Sequence, residues 1–134
     1  MTSKITYLGN LRTESVHIQS GSKITTDAPL DNNGKGEAFS PTDLVANALG
    51  ACMFTVMGIK AVAMKIDLSH STATVTKIMG TEPRRIIEIQ ITFEMNIEAD
   101  HKTKTILEKV AMTCPVHFSL HSDIKQTIRF NWKN

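Results

Sequence analysis

The chain lacks most of what would tie it to a scaffold or to a charged partner. Its 134 residues hold two cysteines, one tryptophan and one tyrosine. A domain of this length buries an adequate core unaided, so its thiols are not needed as a disulfide framework. The formal net charge of +2 is spread along the chain without a basic block, which with so few aromatic rings argues against nucleic acid as a partner. Gly-x-Ser-x-Gly and His-Glu-x-x-His are missing, and serine-hydrolase and zincin chemistry lose their support with them. Residues 1–10 contain a lysine but no apolar run of signal-peptide length. The expectation is a cytoplasmic protein in a reducing compartment, where a thiol pair is more often reactive than structural. With no internal repeat, low-complexity tract or evident linker, a single domain over 1–134 is expected.

What is there begins with an uncharged stretch. Leu44 to Met64 carries Lys60 as its one charged residue, close to the length of a bilayer span. Asn47, Gly50, Thr55, Gly58 and the many alanines make insertion weakly favoured at best, so no membrane partner is expected. A helix apolar nearly all round is buried on nearly all sides. A domain this small has trouble surrounding such a helix alone, which points to a homodimer with a shared core.

Around it the chain reads as α+β. Three short strands, Ile5 to Leu8, Leu11 to Ile18 and Lys23 to Thr26, are separated by the turn residues Gly9-Asn10 and Gly21-Ser22, as in a hairpin or meander. Asp31 to Gly36 is a glycine and asparagine loop that lacks the GK[ST] context of a phosphate loop. Ser40-Pro41-Thr42-Asp43 starts the long helix, with Ser as N-cap and Pro at the first helical position. Strands follow over His70 to Met79 and Arg84 to Ile97, rich in isoleucine. Asp100 caps a second helix in which Ile106, Leu107, Val110 and Ala111 recur at helical spacing. Cys114-Pro115 opens a short helix to Leu120, and Ile124 to Trp132 forms the last strand.

The cysteines are the chemical candidates. At the N-cap before Pro115, Cys114 faces free N–H groups and the positive end of a helix dipole, which lower a thiol pKa; a small buried hydrophobe is the other reading. Cys52 has the mostly apolar helical neighbours Ala48, Leu49, Thr55 and Val56, so desolvation alone would leave it inert unless a cation reaches it. Arg12 falls on the strand face of Glu14, Val16 and Ile18. It either has a task there or pairs with Glu14 on a solvated face. His117 and His121, at i and i+4, could join Cys114 around a metal, or be two partly exposed histidines on a short helix.

The run Phe39-Ser40-Pro41-Thr42-Asp43-Leu44-Val45-Ala46-Asn47-Ala48-Leu49-Gly50-Ala51-Cys52, followed far downstream by Cys114-Pro115-Val116, resembles the OsmC/Ohr family of osmotically induced and organic hydroperoxide resistance proteins. Leu8-Gly9-Asn10-Leu11-Arg12, Ser20-Gly21 and Thr26-Asp27-Ala28-Pro29 resemble that family's arginine-bearing hairpin. The resemblance implies an OsmC-like α+β fold, an intertwined homodimer with antiparallel sheets packed around a long central cysteine-bearing helix. It further implies a peroxidatic Cys52, a resolving Cys114 and an Arg12 that holds Cys52 as thiolate. No bound cofactor is implied; an organic hydroperoxide is the substrate, and an external dithiol, a lipoylated protein or a small dithiol, is the reductant. One departure stands out: dedicated hydroperoxide reductases of the family carry a glutamate where this chain has Thr42, with Asp43 and Glu37 nearby. The leading expectation is an organic hydroperoxide reductase forming a Cys52–Cys114 disulfide. The alternative is an OsmC-fold small-molecule-binding or redox protein with little peroxidase activity.

Overall fold

The computed structural model describes residues 1–133. By internal contacts the chain divides into two compact units, Met1–Val45 and Ala46–Asn134.

The first unit is an antiparallel meander of β1 (Ser3–Gly9), β2 (Arg12–His17) and β3 (Lys23–Asp27). The Gly9-Asn10-Leu11 turn runs through three positive φ values, conformations that glycine and asparagine reach most cheaply. The pairing places Arg12 opposite Asp27 and Thr13 opposite Thr26. After β3 the chain makes a 3-10 turn at Leu30–Asn32 and folds back on itself. Gly34 N–H donates to the Pro29 carbonyl at 2.9 Å and Gly36 N–H to the Ala28 carbonyl at 3.2 Å. The unit ends at the start of α1 (Pro41–Ala63), where Ser40 and Asp43 form a reciprocal cap. Asp43 N–H donates to Ser40 Oγ at 3.1 Å, and Ser40 N–H to Asp43 Oδ2 at 2.9 Å, which satisfies two N–H groups the helix cannot.

The second unit packs α1 on a sheet ordered β4 (Thr72–Gly80), β5 (Arg85–Met95), β6 (Lys125–Trp132). On β5 the residues Ile89, Ile91, Phe93 and Met95 alternate inward and are all buried, the period-2 pattern of a sheet with one packed face. A register shift opposite Met79 turns Ile86 inward as well, while Ile87 is left exposed. Leu49, Met53 and Met57 of α1 complete this core. Phe93 meets Phe54 edge-on at 4.7 Å and stacks on Phe130 at 5.0 Å. Gly50 permits the helix to lie close, since a Cβ there would stand 3.4 Å from Val75 and 3.6 Å from Ile91. Asp100 caps α2 (His101–Ala111) by accepting from Thr103 N–H, and Cys114 caps α3 (Pro115–Ser119).

One expectation needs correction. The pairing of β4 with β5 is antiparallel, but β6 joins β5 in parallel. The segment between them carries α2 and α3, and such a helical crossover returns the chain to the end where β5 began. As expected of so small a domain, the chain alone does not bury α1 on all sides. Ala46, Leu49, Gly50, Met53, Met57 and Ala61 form its buried stripe, while Val45, Ala51, Thr55, Ile59 and Val62 are exposed. A helix with apolar residues on every face cannot be covered by one three-stranded sheet. By length and composition it could cross a membrane; within the chain it packs one face on the sheet.

Candidate functional site

In the second unit the fold brings the two cysteines together. Cys52 lies on α1 beside the buried stripe and is half-buried; Cys114 is completely buried in the same core. Both thiols are free, and they are near enough to share a hydrogen bond and to feel each other's charge.

The helix-cap geometry expected of Cys114 is present: its Sγ accepts from His117 N–H at 3.2 Å. The expected consequence is not. Burial pushes the Cys114 thiol up, the His117 N–H offsets this only in part, and the neighbouring Cys52 pushes it further up. The largest effect is removal from water, which disfavours a charged sulfur more than a short helix favours it. Burial and the neighbouring Cys52 thus both favour the neutral form of Cys114.

In the first unit Arg12 is gripped by two carboxylates. Its Nε donates to Asp27 Oδ1 at 2.7 Å and its Nη2 to Asp27 Oδ2 at 2.8 Å, a bidentate pair with a carboxylate only 1% exposed. The same Nη2 donates to Glu37 Oε2 at 2.8 Å, and Glu37 N–H donates to Asp27 Oδ2 at 3.1 Å. Arg12 is held even more firmly protonated than usual, first by its hydrogen bond to Asp27. Asp27 is held below the usual carboxylate range by the same bond. Fork-to-fork pairing of this kind fixes orientation as well as charge. The solvated Arg12–Glu14 pair is not formed; Glu14 lies 3.7 Å from Lys23 instead.

Sequence reasoning missed Asp27. The Gly21-Ser22 signal could not have found it, because the turn closes between His17 and Ser22, and only that register sets Arg12 across from Asp27. The second carboxylate on the arginine comes from the loop residue Glu37, whereas Thr42 Oγ1 lies 3.2 Å from Ser40 Oγ in the helix cap. The metal reading of Cys114, His117 and His121 also fails: among the described residues no three His, Cys, Asp or Glu side chains form a metal-binding group. His117 Nδ1 is engaged by Gln126 at 2.6 Å, and His121 Nδ1 accepts from Asp123 N–H at 3.0 Å.

A buried thiol beside an accessible one, on a helix that packs against an isoleucine-rich sheet, defines a class of α+β dithiol proteins. Residues 34–129 match the family model described as OsmC-like protein, and the chain belongs to the OsmC-like family. It is 53% identical to a protein of Psychrobacter arcticus described as an osmotic stress induced and detoxification response protein. That crystal structure superposes with a TM-score of 0.96 over 98% of this chain and 96% of that one. The fold is shared with an OsmC-like protein from Mycoplasma pneumoniae, at 20% identity, TM-score 0.82, and 98% and 96% coverage. It is shared too with an organic hydroperoxide resistance protein OsmC from Legionella pneumophila, at 18% identity, TM-score 0.70, and 96% and 94% coverage. No curated protein matches the chain.

Proposed function

We propose that the chain is a thiol-dependent peroxidase that reduces organic hydroperoxides in oxidative stress defence, acting in the cytoplasm as a homodimer. The thiol pair carries this reading: Cys52 and Cys114, distant in sequence, interact in the fold, one accessible and one buried. Cys52 as thiolate attacks the terminal oxygen of the hydroperoxide. An S–O bond forms, the O–O bond breaks, and the alkoxide leaves and takes up a proton to become the alcohol. Cys114 then attacks the Cys52 sulfenic acid; an S–S bond forms, the S–O bond breaks, and the departing hydroxide is protonated to water. An external dithiol, either a lipoylated protein or a small dithiol, reduces the disulfide by exchange.

Arg12 supplies the positive charge that favours the Cys52 thiolate. Supporting this role, Asp27 and Glu37 lock the guanidinium in one orientation and neither engages Nη1. The exposed apolar residues of α1 support the homodimer, because Ile59 is 68% and Val62 76% exposed, and a second copy would remove them from water. The descriptions of the Psychrobacter and Legionella proteins, detoxification in one and organic hydroperoxide resistance in the other, agree with the reading.

The test is a stopped-flow reaction of reduced protein with cumene hydroperoxide and with hydrogen peroxide, counting thiols before and after. Two thiols per chain are lost, faster with the organic peroxide. Cys52→Ser keeps its one remaining thiol, and Cys114→Ser halts at a sulfenic acid that a 1,3-dicarbonyl probe traps. One feature favours a second reading, a binding or redox protein of the same fold with little peroxidase activity: Thr42 stands where dedicated reductases carry glutamate. Negligible thiol loss in the wild type would select it.

A further inference from the structure

Beyond the two thiols and the arginine, one polar side chain reaches the cysteine cap from another element. Gln126 of β6 holds His117 of α3 at two points. Its Nε2 donates to the His117 carbonyl at 3.3 Å, and its Oε1 lies 2.6 Å from His117 Nδ1. The opposite amide orientation would set Oε1 against the carbonyl oxygen, two acceptors facing each other. The amide is therefore fixed, and neutral His117 must carry its proton on Nδ1 in order to donate to Oε1. The same residue, His117, presents its backbone N–H to Cys114 Sγ at 3.2 Å. Gln126, His117 and Cys114 thus form one chain of contacts in which a strand side chain steadies the stronger of the two backbone donors, His117 and Val116 N–H, that face the buried sulfur.

We infer that Gln126 is a positioning residue for disulfide formation: by clasping the ring and carbonyl of His117 it keeps the His117 N–H on Cys114 Sγ, and so sets how readily Cys114 becomes the attacking thiolate. The inference rests on the peroxidase reading for its role in turnover, but not for its effect on Cys114 itself. An N–H bond to an ionised sulfur is stronger than one to a neutral thiol, so loosening it penalises the thiolate selectively.

The test uses Gln126→Met, which keeps the length of the side chain and removes both hydrogen bonds. In the Cys52→Ser background, where no peroxide chemistry is needed, ultraviolet absorbance of the Cys114 thiolate against pH shifts to higher pH than with Gln126 present. In the two-cysteine protein, oxidation of Cys52 proceeds at the wild-type rate, while the trapped sulfenic acid persists longer, about threefold to tenfold for one hydrogen bond. Nitrogen NMR of neutral His117 shows the proton on Nδ1 in the wild type and a return toward Nε2 in the variant. An unchanged Cys114 titration in folded Gln126→Met overturns the inference, and so does a wild-type His117 protonated on Nε2, a measurement that needs no variant to fold. Absence of any sulfenic acid in peroxide-treated Cys114→Ser would instead sink the peroxidase reading and leave the Cys114 titration standing as a separate result.

Discussion

At the scale of residues, the environment of each ionisable group outweighs its local motif. Cys114 has the helix-cap setting that lowers a thiol pKa, and burial still pushes it up. Asp27 is the reverse, a buried carboxylate kept ionised by Arg12. Its folded pKa lies below the unfolded value of about 3.9. The stability it contributes is therefore present above that value and is lost as pH falls through the folded one. Asp27→Asn should lower stability at neutral pH and flatten the acid side of the curve. Denaturant midpoints compared between about pH 7 and pH 3 measure this, and parallel losses in both proteins would remove Asp27 from the account. The arginine and its partner were present in the sequence on adjacent strands; what hid the pair was the register, which must be worked out from the turn.

At the scale of elements, the loop between β3 and α1 is the piece that delivers Glu37 to Arg12. It does so by folding back so closely that a Cβ on Gly34 would overlap the Ala28 carbonyl. That neighbour is backbone and cannot swing away. Gly34→Ala should therefore displace the loop, withdraw Glu37 from Arg12 and leave the second unit folded. The check is a crystal structure of the variant alongside its far-ultraviolet spectrum, and an unchanged Arg12–Glu37 contact would contradict it. The loop was legible as a loop from its asparagines and glycines. Its task was not, because nothing in a run of turn residues says which side chain it presents. Gln126 was hidden in the same way: a polar residue in a last strand gives no sign that its amide reaches a helix nine residues earlier.

At the scale of the whole molecule, α1 carries more apolar surface than its own chain covers. Ile59 and Val62 lie on exposed positions one turn apart, and burying each fully is worth about 1.5–3 kcal/mol. Ile59→Asp should shift a homodimer toward monomers, read by sedimentation equilibrium at micromolar concentration. A wild-type protein that is already monomeric under those conditions would remove the dimer from the proposal.

The elements themselves were determined by the sequence alone. The Ser40-Pro41 start of α1, the Asp100 and Cys114-Pro115 caps and the isoleucine alternation of β5 are local signals, fixed by backbone hydrogen-bonding needs and side-chain period, and the observed bounds follow them closely. Tertiary structure decided what the local signals could not carry: the parallel return of β6, the meeting of Cys52 with Cys114, the two carboxylates on Arg12 and the amide on His117. Each depends on which surfaces come together and on how much water they exclude. Hydrogen-bond partners and desolvation are properties of that assembly, and no residue holds them by itself.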